Sequence, residues 1–168
     1  VGNIGLEGIS LDPLTGNYIL VKEKTPQRVA EADINFAMSS APLTDLFVPK
    51  LGVTDISDVQ VLTTVSSLIG TADQDNLLIY SQESATLMEV TRTGELLSTF
   101  DFSNIASNAE GVTIGSDGTI YVVSETPALH VLTRGSAPCP ADVTDDQAVD
   151  VDDLVAVILA WGPCPKSP

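Results

Sequence analysis

The chain has 168 residues, 43% of them apolar, and a formal net charge of -16 from 23 acidic against 7 basic side chains. Acidity combined with that much apolar content marks a folded domain with a charged surface rather than an acidic tail, and the length suits one domain, or one domain with a small appendage. The charge excludes nucleic acid and anionic membrane surfaces as partners and favours cations, and no apolar run approaches the roughly 18 residues of a membrane span.

The start, Val1, Gly2 and Asn3, lacks the basic and apolar regions of a signal peptide, so such a leader is expected to have been removed or to lie upstream. From Gly5 the chain reads GLEGISLDPLTGNYILVKEKTP. It is an acidic residue with a small one, a β run, a turn over Asp12 to Asn17, and a second β run, Tyr18 to Val21, closed by Glu23. The pattern returns from Asp55 as DISDVQVLTTVSSLIGTADQDNLLIYSQES. A third run, Leu87 to Val90, follows, and a Thr93-Gly94 turn leads into a fourth, Glu95 to Phe100. It returns again from Asn108 as NAEGVTIGSDGTIYVVSETP, with a turn at Ser116-Asp117-Gly118 and a third run at Leu129 to Leu132, but no fourth.

The acidic openers Glu7, Asp58 and Glu110 recur about every 50 residues, a spacing typical of propeller blades. The expected fold is all-β: residues 1–135 form a partial β-propeller of about three four-stranded antiparallel blades, the third short of its last strand. Tyr18 to Val21 and Ile120 to Val123 are apolar on both faces, as expected of strands sandwiched between blades. Propellers close with about 4 to 8 blades. The chain is therefore expected to be the C-terminal part of a longer, roughly six-bladed protein, or to complete one ring as a homodimer; its abrupt start inside the first blade favours the former.

The Glu-Gly pairs at Glu7-Gly8 and Glu110-Gly111, the turns of the form D-x-x-T/D-G and the V-x-x-E or V-x-E closes resemble the SdiA-regulated propeller family and its phytase-like and esterase-like relatives. The resemblance covers residue 5 to about residue 135. It implies a six-bladed propeller of bacterial periplasmic or secreted proteins, mostly of unassigned function, and little chemistry.

From Pro138 the composition changes. Residues 142–153 fit a twelve-residue calcium loop: Asp142 at position 1, Thr144 at 3, Asp146 at 5, the Ala148 carbonyl at 7, Asp150 at 9 and Asp153 at 12. Leu154, Val157, Ile158 and Trp161 then mark one apolar face of a short helix, which Gly162-Pro163 stops. The segment resembles the loop and helix of dockerin repeats in single copy. It departs from them at position 6, where Gln147 replaces the usual glycine, and at Thr144. Cellulosomal dockerins carry two such repeats, so cohesin binding is not expected. Cys139 and Cys164 flank the segment and suggest a disulfide clip, hence an oxidising compartment outside the cytoplasm; the alternative is two free or buried thiols. Residues 139–164 are thus expected to form a small module held by a disulfide, by calcium or by docking, with an unmetallated acidic turn as the other reading of the loop.

Catalytic signals are sparse. The one histidine, His130, sits in a strand run, where it is expected to be structural, and no serine lies in a nucleophile elbow. That leaves carboxylates. Glu7, Asp58 and Glu110 are expected to point to the axial channel or its mouth, there to hold a cation or merely to cap strands; Glu23, Glu83 and Glu125, closing the second runs, are expected at a blade edge. The first functional reading is a secreted or periplasmic, calcium-binding, non-enzymatic binding or structural protein with an extracellular protein or carbohydrate ligand. The alternative, implied by the phytase-like relatives, is a calcium-dependent phosphoester or ester hydrolase. Against it, the chain has no basic cluster to grip phosphate, only the scattered Lys22, Lys24, Arg28, Lys50, Arg92, Arg134 and Lys166.

Overall fold

The computed structural model describes residues 5–24, 26–106, 108–133 and 151–159. Two compact units divide the chain between Thr133 and Arg134. In the first, eleven strands form three antiparallel meanders: β1 (Leu6–Leu11), β2 (Tyr18–Lys22), β3 (Arg28–Ala32) and β4 (Leu43–Phe47); β5 (Asp58–Val61), β6 (Leu77–Ser81), β7 (Thr86–Val90) and β8 (Leu96–Asp101); and β9 (Ala109–Ile114), β10 (Ile120–Ser124) and β11 (Ala128–Leu132). These are two four-stranded blades and one three-stranded blade of a β-propeller. Hairpin chemistry sets the blades. Gly16 and Gly118 close the first hairpins of blades 1 and 3 at φ +79° and +85°, a region that residues with a Cβ rarely adopt. Blade 2 instead joins β5 to β6 through two 3₁₀ turns, Ser66–Leu68 and Ala72–Asp75.

The core is two layers, each lying between adjacent blades. Between blades 1 and 2, Ile19, Val21 and Val29 meet Val59, Val61, Leu77, Ile79 and Met88; between blades 2 and 3, Leu78, Tyr80 and Leu87 meet Phe102, Val112 and Val122. Each fully buried aliphatic side chain is worth about 1.5–3 kcal/mol relative to exposure, so these layers dominate the stability. Strand β6 sends alternate residues into the two layers and is buried along its whole length. The expectation that the second runs of blades 1 and 3 are covered on both faces is corrected here. Among the described residues, the blades of β2 and β10 each pack against another blade on one side only, so Val21 and Val122 are buried whereas Leu20 is partly and Val123 half exposed.

Polar contacts fix the stagger between blades. The Ser10 hydroxyl accepts a bond of 3.1 Å from the Val61 N–H, and a carboxylate oxygen of Asp58 accepts one of 2.8 Å from the Val112 N–H. At the far end, Arg92 Nη2 reaches Asp12 Oδ2 at 2.6 Å, and Arg92 Nε donates to the Asp75 carbonyl at 2.8 Å. Asp12 is only 2% exposed, so removing its cation leaves a buried charge bonded to the Leu14 N–H. Arg92→Ala is expected to lower stability by about 2 kcal/mol, read as a shift of the urea midpoint at unchanged slope, and Arg92→Lys to restore only part of the loss because a lysine cannot serve both acceptors in this geometry.

In the second unit, the expected helix is present as α1 (Val151–Leu159), and Asp153 falls within it. The other residues of the calcium-loop expectation, Asp142, Thr144, Asp146, Ala148 and Asp150, lie outside the described residues, as do Cys139 and Cys164.

Candidate functional site

The three inner strands, β1, β5 and β9, run side by side, and a cleft of about 240 Å³ opens where they begin. Glu7, Glu23, Ser57, Gln82 and Glu110 line it. Pairing registers explain why these five meet. Gly8 lies opposite Val21, Asp58 opposite Tyr80 and Gly111 opposite Val123, so the three pairs are equivalent. One residue before each stand Glu7, Ser57 and Glu110; two residues after Val21, Tyr80 and Val123 stand Glu23, Gln82 and Glu125.

Asp58 is therefore not the counterpart of Glu7 and Glu110, and the expected trio is corrected by one residue. Ser57 takes the equivalent place, and Asp58 occupies the glycine position, between the blades. Its carboxylate receives the N–H groups of Val59 and Val112, both at 2.8 Å. Burial holds its pKa above the usual aspartate range, with those two N–H bonds pulling the other way. Gly8 exists to admit it, because a Cβ on Gly8 would lie 2.8 Å from both the Asp58 Cα and Oδ1.

The expected blade-edge set is likewise divided. Glu23 lines the cleft, with one carboxylate oxygen buried and unpaired and the other 2.9 Å from Lys24 Nζ. Glu83 is displaced by one position, exposed, and paired with Lys24, which keeps its pKa below the usual glutamate range. Glu125 stays near the cleft, close enough for its charge to act on Glu110.

Beneath the cleft is a residue that carried no separate signal in the sequence. Asp55 is fully buried and accepts from Ser57 Oγ (2.8 Å), Ser81 Oγ (2.5 Å) and the N–H groups of Gln82 and Glu83 (both 3.1 Å). The Gln82 N–H also reaches Ser57 Oγ at 3.0 Å. Asp55 thus fixes both neutral members of the lining, and the Gln82 side-chain amide in turn donates to Glu110 Oε1. Charge accumulates here. Desolvation raises the Glu110 pKa above the ordinary glutamate value, and the charges of Glu125, Asp55 and Glu7 add to the rise, while the Gln82 bond opposes it. Tyr80, wholly buried nearby with its hydroxyl unpaired, is pushed up to about 12 by burial and by the charges of Asp55 and Glu110.

The cleft offers carboxylates, a hydroxyl and an amide, with no cation among its lining residues. Among the described residues, no three His, Cys, Asp or Glu side chains come close enough together to hold a metal ion. His130 lies on β11 opposite Val122, away from the lining.

Blade meanders packed face to face around parallel inner strands define a β-propeller, here one with an acidic mouth. The chain belongs to the SdiA-regulated family, whose model matches residues 1–133. It is similar in structure to a protein of unknown function from Bacteroides caccae (13% identity, TM-score 0.52, 81% of this chain and 44% of that one). Two further similar structures are a catalytically inactive virginiamycin B lyase from Staphylococcus aureus with quinupristin (14% identity, TM-score 0.46, 79% and 43%) and a streptogramin B lyase (16% identity, TM-score 0.45, 82% and 43%). The chain spans less than half the length of these proteins.

Proposed function

We propose that this chain is part of a secreted or periplasmic binding protein whose propeller mouth recognises a cationic group, such as the ammonium or guanidinium of an extracellular ligand, without turning it over. The observation that carries the reading is the cleft itself: Glu7, Glu23 and Glu110 face one opening whose neutral lining, Ser57 and Gln82, is held from below by Asp55. Carboxylates in a partly desolvated opening attract a cation more strongly than they would in water. Their spread suits an organic cation better than a bare metal ion, and a phosphoester would be repelled. Calcium belongs, in this reading, to the Asp142–Asp153 loop, a separate attachment element of dockerin-like type held by the Cys139 and Cys164 clip.

Isothermal titration of the full chain with a lysine-rich peptide, and separately with calcium chloride, tests both parts. Glu7→Gln with Glu110→Gln is expected to weaken peptide binding at least tenfold and leave calcium binding unchanged; Asp146→Asn with Asp150→Asn is expected to do the reverse. Peptide binding that survives the cleft variant sinks the proposal for the mouth. Acidity supplies a further check. Because the Glu110 pKa is raised in the fold, its ionisation opposes folding as pH climbs from the ordinary glutamate value through the raised one. A bound cation removes that penalty, so peptide affinity is expected to grow over the same pH interval and to collapse below it.

A further inference from the structure

One carboxylate of the cleft already holds a cation that the chain itself supplies. The Glu23 side chain is 12% exposed; its Oε2 is buried without a partner, and its Oε1 lies 2.9 Å from Lys24 Nζ. A cation arriving from solvent therefore meets Glu23 at the oxygen that Lys24 holds. Lys24 is shared. Its ammonium also bonds Glu83, which is not among the lining residues and is 46% exposed. Both ends of this arrangement are fixed to the backbone. Lys22 Nζ donates to the carbonyls of Lys24 and Pro26, at 2.6 and 3.2 Å, and ties down the segment after β2, while the Glu83 N–H is held by Asp55. Only the Lys24 side chain has to turn for its ammonium to leave Glu23, and Glu83 keeps it paired when it does.

We infer that Lys24 is a specificity-determining residue of the mouth: a tethered competitor for Glu23 that is displaced onto Glu83 when the ammonium or guanidinium of a ligand binds. This deepens the cation-binding reading of the cleft and rests on it. The energetics suit an exchange. An exposed ion pair contributes little, so confining Lys24 to Glu83 costs little, whereas a largely buried Glu23 carboxylate left with no cation is costly. Departure of Lys24 is favourable only as a ligand arrives. The tether gives the ammonium a high effective concentration at Glu23. A solvated alkali ion, with charge but no N–H donors, does not displace it; a ligand that brings N–H donors and also reaches Glu7 and Glu110 does. Apparent affinity is lowered by the fraction of molecules in which Glu23 is taken, and removing Lys24 recovers it.

Titration of the full chain with the lysine-rich peptide tests this. Lys24→Met is expected to tighten binding about fivefold, and Lys50→Met, the same change of charge on an exposed lysine outside the lining, by less than about twofold. Glu83→Gln breaks the same ion pair from its other side. It leaves Lys24 on Glu23 alone, so it is expected to weaken binding about threefold, and to have little effect once Lys24→Met is present. A pair that is only structural moves affinity in one direction in both single variants. Bulk salt competes for Glu23 when the tether is gone, so the affinity of Lys24→Met is expected to fall more steeply with sodium chloride than that of the parent. In the unsubstituted chain, the side-chain nitrogen resonance of Lys24 is expected to shift along the binding isotherm, a readout that needs no variant to fold. Binding seen only in Lys24→Met also supports the inference. Binding no tighter in Lys24→Met than in Lys50→Met, an effect of Glu83→Gln that persists without Lys24, or a Lys24 resonance that stays in place while peptide binds overturns the inference and leaves the reading of the mouth intact; absence of peptide binding in the parent and in every variant removes both.

Discussion

Asp55→Ala is expected to be among the most damaging single substitutions in the propeller, lowering its stability by about 3–5 kcal/mol. Four donors converge on that buried carboxylate: two hydroxyls, from Ser57 and Ser81, and the backbone N–H groups of Gln82 and Glu83. Each donor left without a partner in the interior loses about 1–3 kcal/mol, and relaxation and water entry keep the total below the simple sum. Asp55→Asn retains one acceptor oxygen but turns an NH2 group towards donors, so it is expected to lose roughly half as much. Urea unfolding followed by circular dichroism measures both, and a midpoint for Asp55→Ala within 0.5 kcal/mol equivalent of the parent, about the scatter of a surface change, would refute the role assigned to it. The consequence reaches the site, because Asp55 positions Ser57 and Gln82. Peptide affinity is expected to fall in Asp55→Asn even at temperatures where the variant remains folded.

The second large effect concerns a single methyl group. In Gly8→Ala the new Cβ would sit 2.8 Å from the Asp58 Cα, 2.8 Å from Asp58 Oδ1 and 2.8 Å from Val21 Cγ2. A side-chain tip can swing away, but the Cα of an inner strand cannot move without separating blades 1 and 2, so the expected loss is about 3 kcal/mol. Gly111→Ala is the matched comparison. Its Cβ would meet Val123 Cγ2 at 3.1 Å and Asp58 Oδ2 at 3.6 Å, and the Val123 side chain is half exposed and can shift, so about 1 kcal/mol or less is expected. Thermal midpoints of the two variants, compared side by side, decide the matter. Equal losses would mean that the insertion of Asp58 between the glycine positions is not what sets the blade spacing.

Much of this was legible from residues alone. The strand runs, their turns and the roughly fifty-residue recurrence prescribe antiparallel blades, because alternation, Gly-bearing turns and β-branched residues are local properties of the chain. The acidic openers were legible as a class but not in register. Aligning blade 2 on its nearest acid picks Asp58, whereas hydrogen bonding aligns it on Tyr80, and a shift of one residue in a strand turns a side chain from one face to the other. Counting back from the end of the second strand, Lys22, Ser81 or Ser124, would have found Ser57 and Gln82. Asp55 had no such signal, since a buried carboxylate and an exposed one are the same letter.

What the sequence determined by itself is therefore the architecture and its acidity: all-β blades, the turns that join their strands, and the surplus of carboxylates near the inner-strand starts. Tertiary structure alone decided which carboxylates share a cleft, which one is buried beneath it, and which apolar faces are covered. Those outcomes depend on pairing register and on the neighbour a blade happens to have. Val21 and Val123 occupy equivalent positions with the same side chain, yet one is sealed and the other half exposed, because burial belongs to the surroundings of a residue and not to the residue.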